Sequence, residues 1–217
     1  MLYIILMLSA LLLVLFILRA LFYIANLNDN NNTFGSEVKR LKTIICMGSG
    51  GHTAEMLRIL DKMNTSCYNP RLYVIANSDK TSETKVNSFE NEGLINNSGT
   101  DYSIAKINRS RQVSQSYVSS VWTTLFSIMT SIPIVFKYKP DLIICNGPGT
   151  CIPICLIAFI MNLLYISNCK IVFIESICRV RTLSLTGKIL IYISDVFVVQ
   201  WKQLLCYSRA KYFGRLT

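Results

Sequence analysis

Residues 43–57 read Thr43-Ile-Ile-Cys-Met-Gly48-Ser49-Gly50-Gly51-His52-Thr53-Ala54-Glu55-Met56-Leu57: a short apolar run, a glycine-rich turn, then a helical pattern. A strand feeding a helix through glycines is the opening unit of an open α/β sheet. The glycines allow a tight turn and close approach of a ligand, and the helix amides that follow offer donors to a phosphate. Neither the GxxxxGK[ST] spacing of a P-loop nor the GxGxxG of a dinucleotide site is present. Two readings stand at this point: a diphosphate cradle, or a turn whose glycines answer only to sterics. His52, the single histidine of the chain, sits at the mouth of this loop, where ligands of open α/β sheets bind. It is either a general base suited to a hydroxyl acceptor or a residue that orients the loop.

Downstream, apolar runs alternate with helical patterns: Arg71 to Ala76, Tyr102 to Ile107, Asp141 to Cys145, Lys170 to Glu175 and Asp195 to Gln200. With Thr43 to Met47 they predict six strands of a parallel, Rossmann-like α/β sheet. Leu142-Ile143-Ile144-Cys145 and Ile171-Val172-Phe173-Ile174 do not alternate, as befits strands covered on both faces. Two loops of interest follow predicted strands. Asn146-Gly147-Pro148-Gly149-Thr150 is glycine-rich like the first, and Glu175-Ser176-Ile177-Cys178-Arg179-Val180-Arg181 carries a carboxylate and two guanidiniums. Arg179 and Arg181 are either diphosphate ligands or surface charges. For Glu175 an ion pair with these arginines is favoured over a catalytic role.

Upstream, Leu2 to Leu18 holds no charge, and past Arg19 the apolar run resumes to Ala25. Its length suits a membrane span, and it lacks the basic start and cleavage site of a secretory leader, so residues 1–25 are expected to be a retained anchor. Residues 26–41, rich in Asn, are expected to be a flexible linker, and residues 42–217 the domain with its C-terminal tail. Lys39, Arg40 and Lys42 beside the span place the domain in the cytosol. The glycosylation tripeptides at Asn31, Asn64, Asn96 and Asn108 test that orientation. Two further apolar stretches, 117–136 and 151–166, are read as crossover helices packed on the sheet, with shallow insertion of one face into a membrane as the alternative.

Composition narrows the partners. The chain has 217 residues, room for one domain and a short appendage. Its net charge of +10 arises wholly after residue 101, where thirteen basic residues face three acidic ones. Anionic headgroups or a phosphate-bearing ligand fit a tethered chain better than nucleic acid, for which no module is present. The eight cysteines include no CxxC pair and stand apart from the one histidine in sequence, so neither a metal nor a cofactor is expected.

Taken together, GSGGHTAEM from Gly48, NGPGT from Asn146, ESICRVRTLSLTGK from Glu175 and DVFVVQW from Asp195, behind an apolar helix, closely resemble the asparagine-linked glycosylation 14 family. The resemblance covers residues 42–201 and departs at Lys202, where the family pattern has proline. It implies one half of a GT-B glycosyltransferase split into two chains, similar to the bacterial enzyme that glycosylates lipid II. This half is then the acceptor-side, membrane-held subunit, inactive alone, on the cytosolic face of the endoplasmic reticulum. The implied partner is a soluble catalytic subunit that binds UDP-N-acetylglucosamine, and the implied acceptor is dolichyl-diphosphate-N-acetylglucosamine. By motif, Gly48, Ser49, Gly50, Gly51, Arg179 and Arg181 would hold the acceptor diphosphate. His52 would be the base, and Asn146, Gly147, Pro148, Gly149 and Glu175 would complete the site. Tyr212, Phe213, Gly214 and Leu216 in the basic, aromatic tail would dock on the partner. A non-catalytic membrane adaptor and a stand-alone α/β enzyme are the competing readings.

Overall fold

The computed structural model describes residues 2–27, 40–96, 101–109, 115 and 117–217. Element order is α1 (Leu2–Asn26), β1 (Thr43–Cys46), α2 (Gly51–Asp61), β2 (Arg71–Ala76), α3 (Lys80–Asn96), β3 (Tyr102–Ile107), α4 (Tyr117–Tyr138), β4 (Leu142–Asn146), α5 (Cys151–Leu163), β5 (Lys170–Ile174), α6 (Leu185–Leu190), β6 (Val196–Val199) and β7 (Ala210–Tyr212). All seven strands are parallel in the order β3-β2-β1-β4-β5-β6-β7. The six expected strands are all present. The seventh pairs with β6, Phe197 opposite Ala210, within a segment the sequence assigned to a tail. Lys202 opens a 3-10 turn, Lys202–Cys206, that bridges the two, so the turn forms without proline.

Each face of the sheet has its own core. One cluster joins β-strand side chains such as Ile44, Cys145, Ile171 and Phe173 to α5, and the other joins Ile45, Tyr73 and Ile144 to α2. β1, β2 and β4 are buried along their whole length, which explains why none of them alternates apolar and polar residues. Arg71 is the charged residue within β2. It is 1% exposed and pairs with Glu90 of α3 at 2.5 Å, and Tyr73 donates to the same carboxylate. Burial together with that carboxylate pushes the Tyr73 phenol far above its ordinary range.

α4 and α5 are both crossover helices of the sheet, but their surfaces differ. α5 is buried on nearly every residue. α4 is inverted: Ser127, Ser131 and Val135 face the domain, while Val121, Trp122, Leu125, Phe126, Met129, Ile132 and Phe136 are exposed. Ser127 donates to Asn108 O, and Ser131 donates back to Ser127 O, so the small hydroxyls are satisfied inside. Beside it, α6 exposes Leu185 and Ile189, and the chain after α5 exposes Leu164 and Tyr165. Lys137 and Lys188 are the charged residues within these three helices. The result is an unpartnered apolar face on one side of the sheet.

α1 belongs to the same side. Its last turns pack on the core through Ala20, Tyr23 and Ile24, and Tyr23 meets Phe159 edge to face at 5.6 Å. Asn162 donates to the Tyr23 hydroxyl at 3.2 Å. Arg19 donates to Leu163 O and to the Tyr165 hydroxyl, and its guanidinium lies 3.5 Å from the Tyr165 ring centre. Leu6 to Leu18 are exposed throughout. Of the expected linker at 26–41, residues 28–39 lie outside the described residues, as does Lys39. The end of α1 is docked on the domain.

Candidate functional site at the topological switch point

Strand order reverses between β1 and β4, whose connections leave in opposite directions, and such a point opens a crevice beyond the strand C-termini. The two glycine-rich loops follow these two strands, and they meet there. Met47, Gly48, Ser49 and His52 from the first, with Gly147, Pro148, Gly149 and Thr150 from the second, line a cavity of about 470 Å³. α2 starts from Gly50 at φ 63° with no side-chain cap, and α5 starts from Thr150 with none either. Two helix N-termini without side-chain caps therefore face one cavity, a concentration of positive dipole suited to an anion. Among the described residues, the Thr150 hydroxyl is the buried side-chain polar atom without a partner. Its place on the cavity wall suits a ligand oxygen.

His52 stands between the loops. An added Cβ on Gly147, whose φ is 70°, would lie 2.6 Å from Cε1 of the imidazole, and one on Gly48 would lie 2.5 Å from the His52 Cβ. Both glycines are required for the ring to sit where it does. Asn146 Nδ2 donates to Ile174 O, which turns Oδ1 toward His52 Nδ1 at 3.3 Å. In that arrangement Nδ1 carries the proton and Nε2 keeps its lone pair, the tautomer a general base needs. Asn146 is thus a positioning residue for the imidazole.

Residues the sequence reading did not single out brace the first loop. Thr53 donates to Gly48 O, and its hydroxyl lies 2.6 Å from that of Ser82 at the start of α3. Ser82 is held in turn by Asp79 at 2.7 Å. All three are buried. Arg109, just beyond β3, was also missed. It lines the same cavity as His52, together with Ser120 and Thr124 of α4.

The third loop is arranged differently from expectation. Glu175 is fully buried and accepts hydrogen bonds from Ser184 N at 2.9 Å, Ser184 Oγ at 3.0 Å and Ser176 N at 3.1 Å. Among the described residues it forms no ion pair with Arg179 or Arg181, so the expected pairing is corrected: Glu175 closes the loop on itself. Burial pushes its carboxyl above the usual range, opposed by the hydrogen bonds from Ser184 and Ser176, with Arg179 a smaller influence. Glu55 of α2 accepts from Ser176 Oγ at 2.8 Å, tying this loop to the helix that carries His52. Arg179 lines a second cavity of about 360 Å³ with Gly51, His52 and Gly147, on the other side of the imidazole. Arg181 is exposed and lines neither cavity.

Two further groups line none of these cavities. Cys46, Cys145 and Cys151 bring their sulfurs within 4.8 Å of one another in the core, and Cys155 is 3.4 Å from Cys145. Burial pushes the Cys145 and Cys151 thiols up, as expected of neutral core residues. At the C-terminus, Tyr212 belongs to β7, Phe213 is 67% exposed, and Gly214 adopts φ 94°. Leu216 packs on the core, donates from its amide to Gln200, and accepts from Lys62.

Comparison with known proteins gives this arrangement a family. A UDP-N-acetylglucosamine transferase subunit ALG14 from Rattus norvegicus is 51% identical over 180 residues, covering 81% of this chain and 83% of its own. The Homo sapiens protein of that name is 48% identical over 180 residues with the same coverage, and that of Yarrowia lipolytica is 39% identical over 216 residues, 98% of both. Among solved structures, MurG of Acinetobacter baumannii superposes with a TM-score of 0.53 at 14% identity. That match takes in 80% of this chain but 45% of MurG, so the chain has the fold of about half of that protein. The family model described as oligosaccharide biosynthesis protein Alg14 like matches residues 43–216, every strand and all three loops included, and the chain belongs to the Alg14 family.

Proposed function

We propose that this chain is the membrane-held, acceptor-binding subunit of a two-chain UDP-N-acetylglucosamine transferase. The reaction is transfer of N-acetylglucosamine to dolichyl-diphosphate-N-acetylglucosamine on the cytosolic face of the endoplasmic reticulum. The observation that carries it is the meeting of two glycine loops and two helix N-termini on the sole histidine at the switch point. Backbone donors of Gly48, Ser49, Gly50 and Gly51 hold the diphosphate, and Gly147, Pro148 and Gly149 form the opposite wall. His52 Nε2 removes the proton from the attacking hydroxyl of the acceptor sugar, in the tautomer fixed by Asn146. Arg179 and Arg181, on the loop clasped by Glu175 and Glu55, supply positive charge on the far side of His52. The soluble partner brings UDP-N-acetylglucosamine, and Phe213 with Tyr212, Gly214 and Leu216 forms part of its docking surface.

The membrane side of the proposal rests on α1 and the apolar face of α4 and α6. Residues 1–25 are the membrane anchor, residues 26–41 the linker, and residues 42–217 the acceptor-side half. The exposed aromatic and aliphatic stripe of α4 lies on the bilayer surface. That orientation brings a lipid-borne diphosphate to the loops without leaving the membrane.

The experiment is co-purification with the soluble partner from membranes, followed by a transfer assay with a lipid-diphosphate acceptor and each chain alone as control. The pair is expected to transfer and each chain alone to be inactive. His52→Ala is expected to lower turnover about 10²–10⁴-fold, the range of general-base catalysis. Unchanged turnover in that variant leaves only the adaptor reading, and turnover by this chain alone removes the two-chain reading.

A further inference from the structure

Arg109 lines two cavities. On one side is the cavity of the glycine loops; on the other is an open groove of about 750 Å³ whose walls include Asn77, Asn108, Arg109, Trp122 and Phe126. Asn77 and Asn108 are linked by a 3.0 Å hydrogen bond, which joins the chain beyond β2 to the chain beyond β3 beside the groove. Trp122 is 74% exposed and Phe126 57%, both on the outward stripe of α4. Large aromatic side chains left in the open beside a polar cavity are not explained by packing of this domain. Among the described residues Arg109 forms no ion pair, which leaves its charge to face an anion.

The order of these features along the surface is cavity, guanidinium, aromatic groove, apolar helix face. A lipid-linked diphosphate has the same order: sugar, two phosphates, isoprenyl chain. We infer that the groove beside Trp122 and Phe126 is the exit channel for the first isoprene units of the acceptor, and that Arg109 at its threshold holds the phosphate nearer the lipid. The inference rests on the acceptor reading above and gives it a direction. With the lipid-side phosphate at Arg109, the remaining phosphate falls under the glycine loops, and the sugar falls toward His52 and the smaller cavity beyond it. The isoprenyl chain leaves along α4 on the face exposed to the bilayer. Apolar contact along that path distinguishes a lipid diphosphate from a free one, and a charge at the threshold distinguishes a diphosphate from a neutral lipid.

The test uses the full two-chain complex in detergent solution, so that no bilayer contributes, and two acceptors: the phytanyl and the butyl ester of N-acetylglucosaminyl diphosphate. Wild-type complex is expected to show a lower KM for the phytanyl ester. The double variant Trp122→Ala, Phe126→Ala is expected to raise the phytanyl KM about tenfold, in line with lost burial of one or two methylene groups, and to bring the ratio of the two KM values close to one. Arg109→Ala is expected to raise both KM values, with Arg109→Lys recovering part of the loss, while the KM for UDP-N-acetylglucosamine stays at the wild-type value in every variant. A double variant that keeps the wild-type KM ratio overturns the channel. An Arg109→Ala complex with unchanged KM for both esters overturns the threshold phosphate. Failure of the acceptor reading appears elsewhere, as a wild-type complex that transfers to neither ester, and it removes the channel with it. Trp122 and Phe126 are exposed, so their truncation opens no core, and co-purification of the partner reports that each variant is folded.

Discussion

Gly147→Ala puts the geometry of the site at risk with a single methyl group. The new Cβ would stand 2.6 Å from His52 Cε1 and 2.9 Å from Nδ1, where carbon contacts ordinarily begin near 3.5 Å. The imidazole must retreat by nearly an ångström. Its link to Asn146 is 3.3 Å long, at the outer edge of a hydrogen bond, and a retreat of that size breaks it. The φ of 70° adds about 1–2 kcal/mol of backbone strain in alanine, a small part of the roughly 5–15 kcal/mol that holds a typical domain folded. A displacement of about 1 Å in a catalytic group costs on the order of 10² in rate, so the reconstituted pair should lose roughly that factor in kcat. Because His52 is the only histidine of this chain, its two ring nitrogens give one assignable pair of resonances when this chain alone is labelled, and that signal reports the ring directly. Gly149→Ala is the contrast: a Cβ there meets nothing within 4 Å, and the resonance should not move. A Gly147→Ala pair with wild-type kcat and an unmoved imidazole signal would refute both the packing argument and the role of His52.

Other predictions follow from groups described above. Glu175→Ala leaves the Ser184 and Ser176 amides without their buried acceptor and should cost about 2–4 kcal/mol, read as a lowered thermal midpoint and faster proteolysis between residues 176 and 184. The raised carboxyl of Glu175 makes the folded state bind its proton more tightly than the unfolded state, so that stabilisation is full below pH about 4.5 and is lost as pH rises through the folded value. In Glu175→Gln this downward slope of midpoint against pH should be absent. Glu90→Ala removes the carboxylate from a guanidinium that is 1% exposed and should destabilise by about 3–5 kcal/mol in the same assay. Lys106→Ala breaks the Glu83 pair, whose side chains are 48% and 31% exposed, and should cost under about 1 kcal/mol.

Much of the sheet was legible because its strands are short, apolar and flanked by turn formers, and because burial on both faces leaves no alternation to misread. β7 was not, since Ala210, Lys211 and Tyr212 lie in a basic, aromatic segment and gain their strand from pairing with β6 rather than from their own pattern. The two glycine loops were legible in composition, and the switch point that joins them followed from strand order. Arg109 was invisible because a lone arginine on a loop carries no periodicity, and only the fold shows that the chain after β3 shares a cavity with His52. The expected pairing of Glu175 with arginines failed for a related reason: opposite charges near in sequence suggest partners, but the serines at 176 and 184 offer closer donors in the folded loop. α4 misleads most, because amphipathic reading assumes that the apolar stripe turns inward. There the buried positions are Ser127, Ser131 and Val135, and the large side chains are outside.

The docking of α1 on the end of α5 sets a distance. With Arg19 and Tyr23 engaged by the domain, the exposed stretch Leu6 to Leu18 ends where the domain begins, so on the proposed membrane reading no free chain separates the span from the domain surface. On that reading Tyr165, 80% exposed beside the Arg19 clasp, lies at the level of the headgroups, where amphipathic aromatic rings settle. The proposed anchor would thereby moor the domain against the membrane plane with little freedom to swing away. For such a moored site the acceptor's abundance is its mole fraction in the leaflet, its search is diffusion in two dimensions, and chain reach contributes nothing.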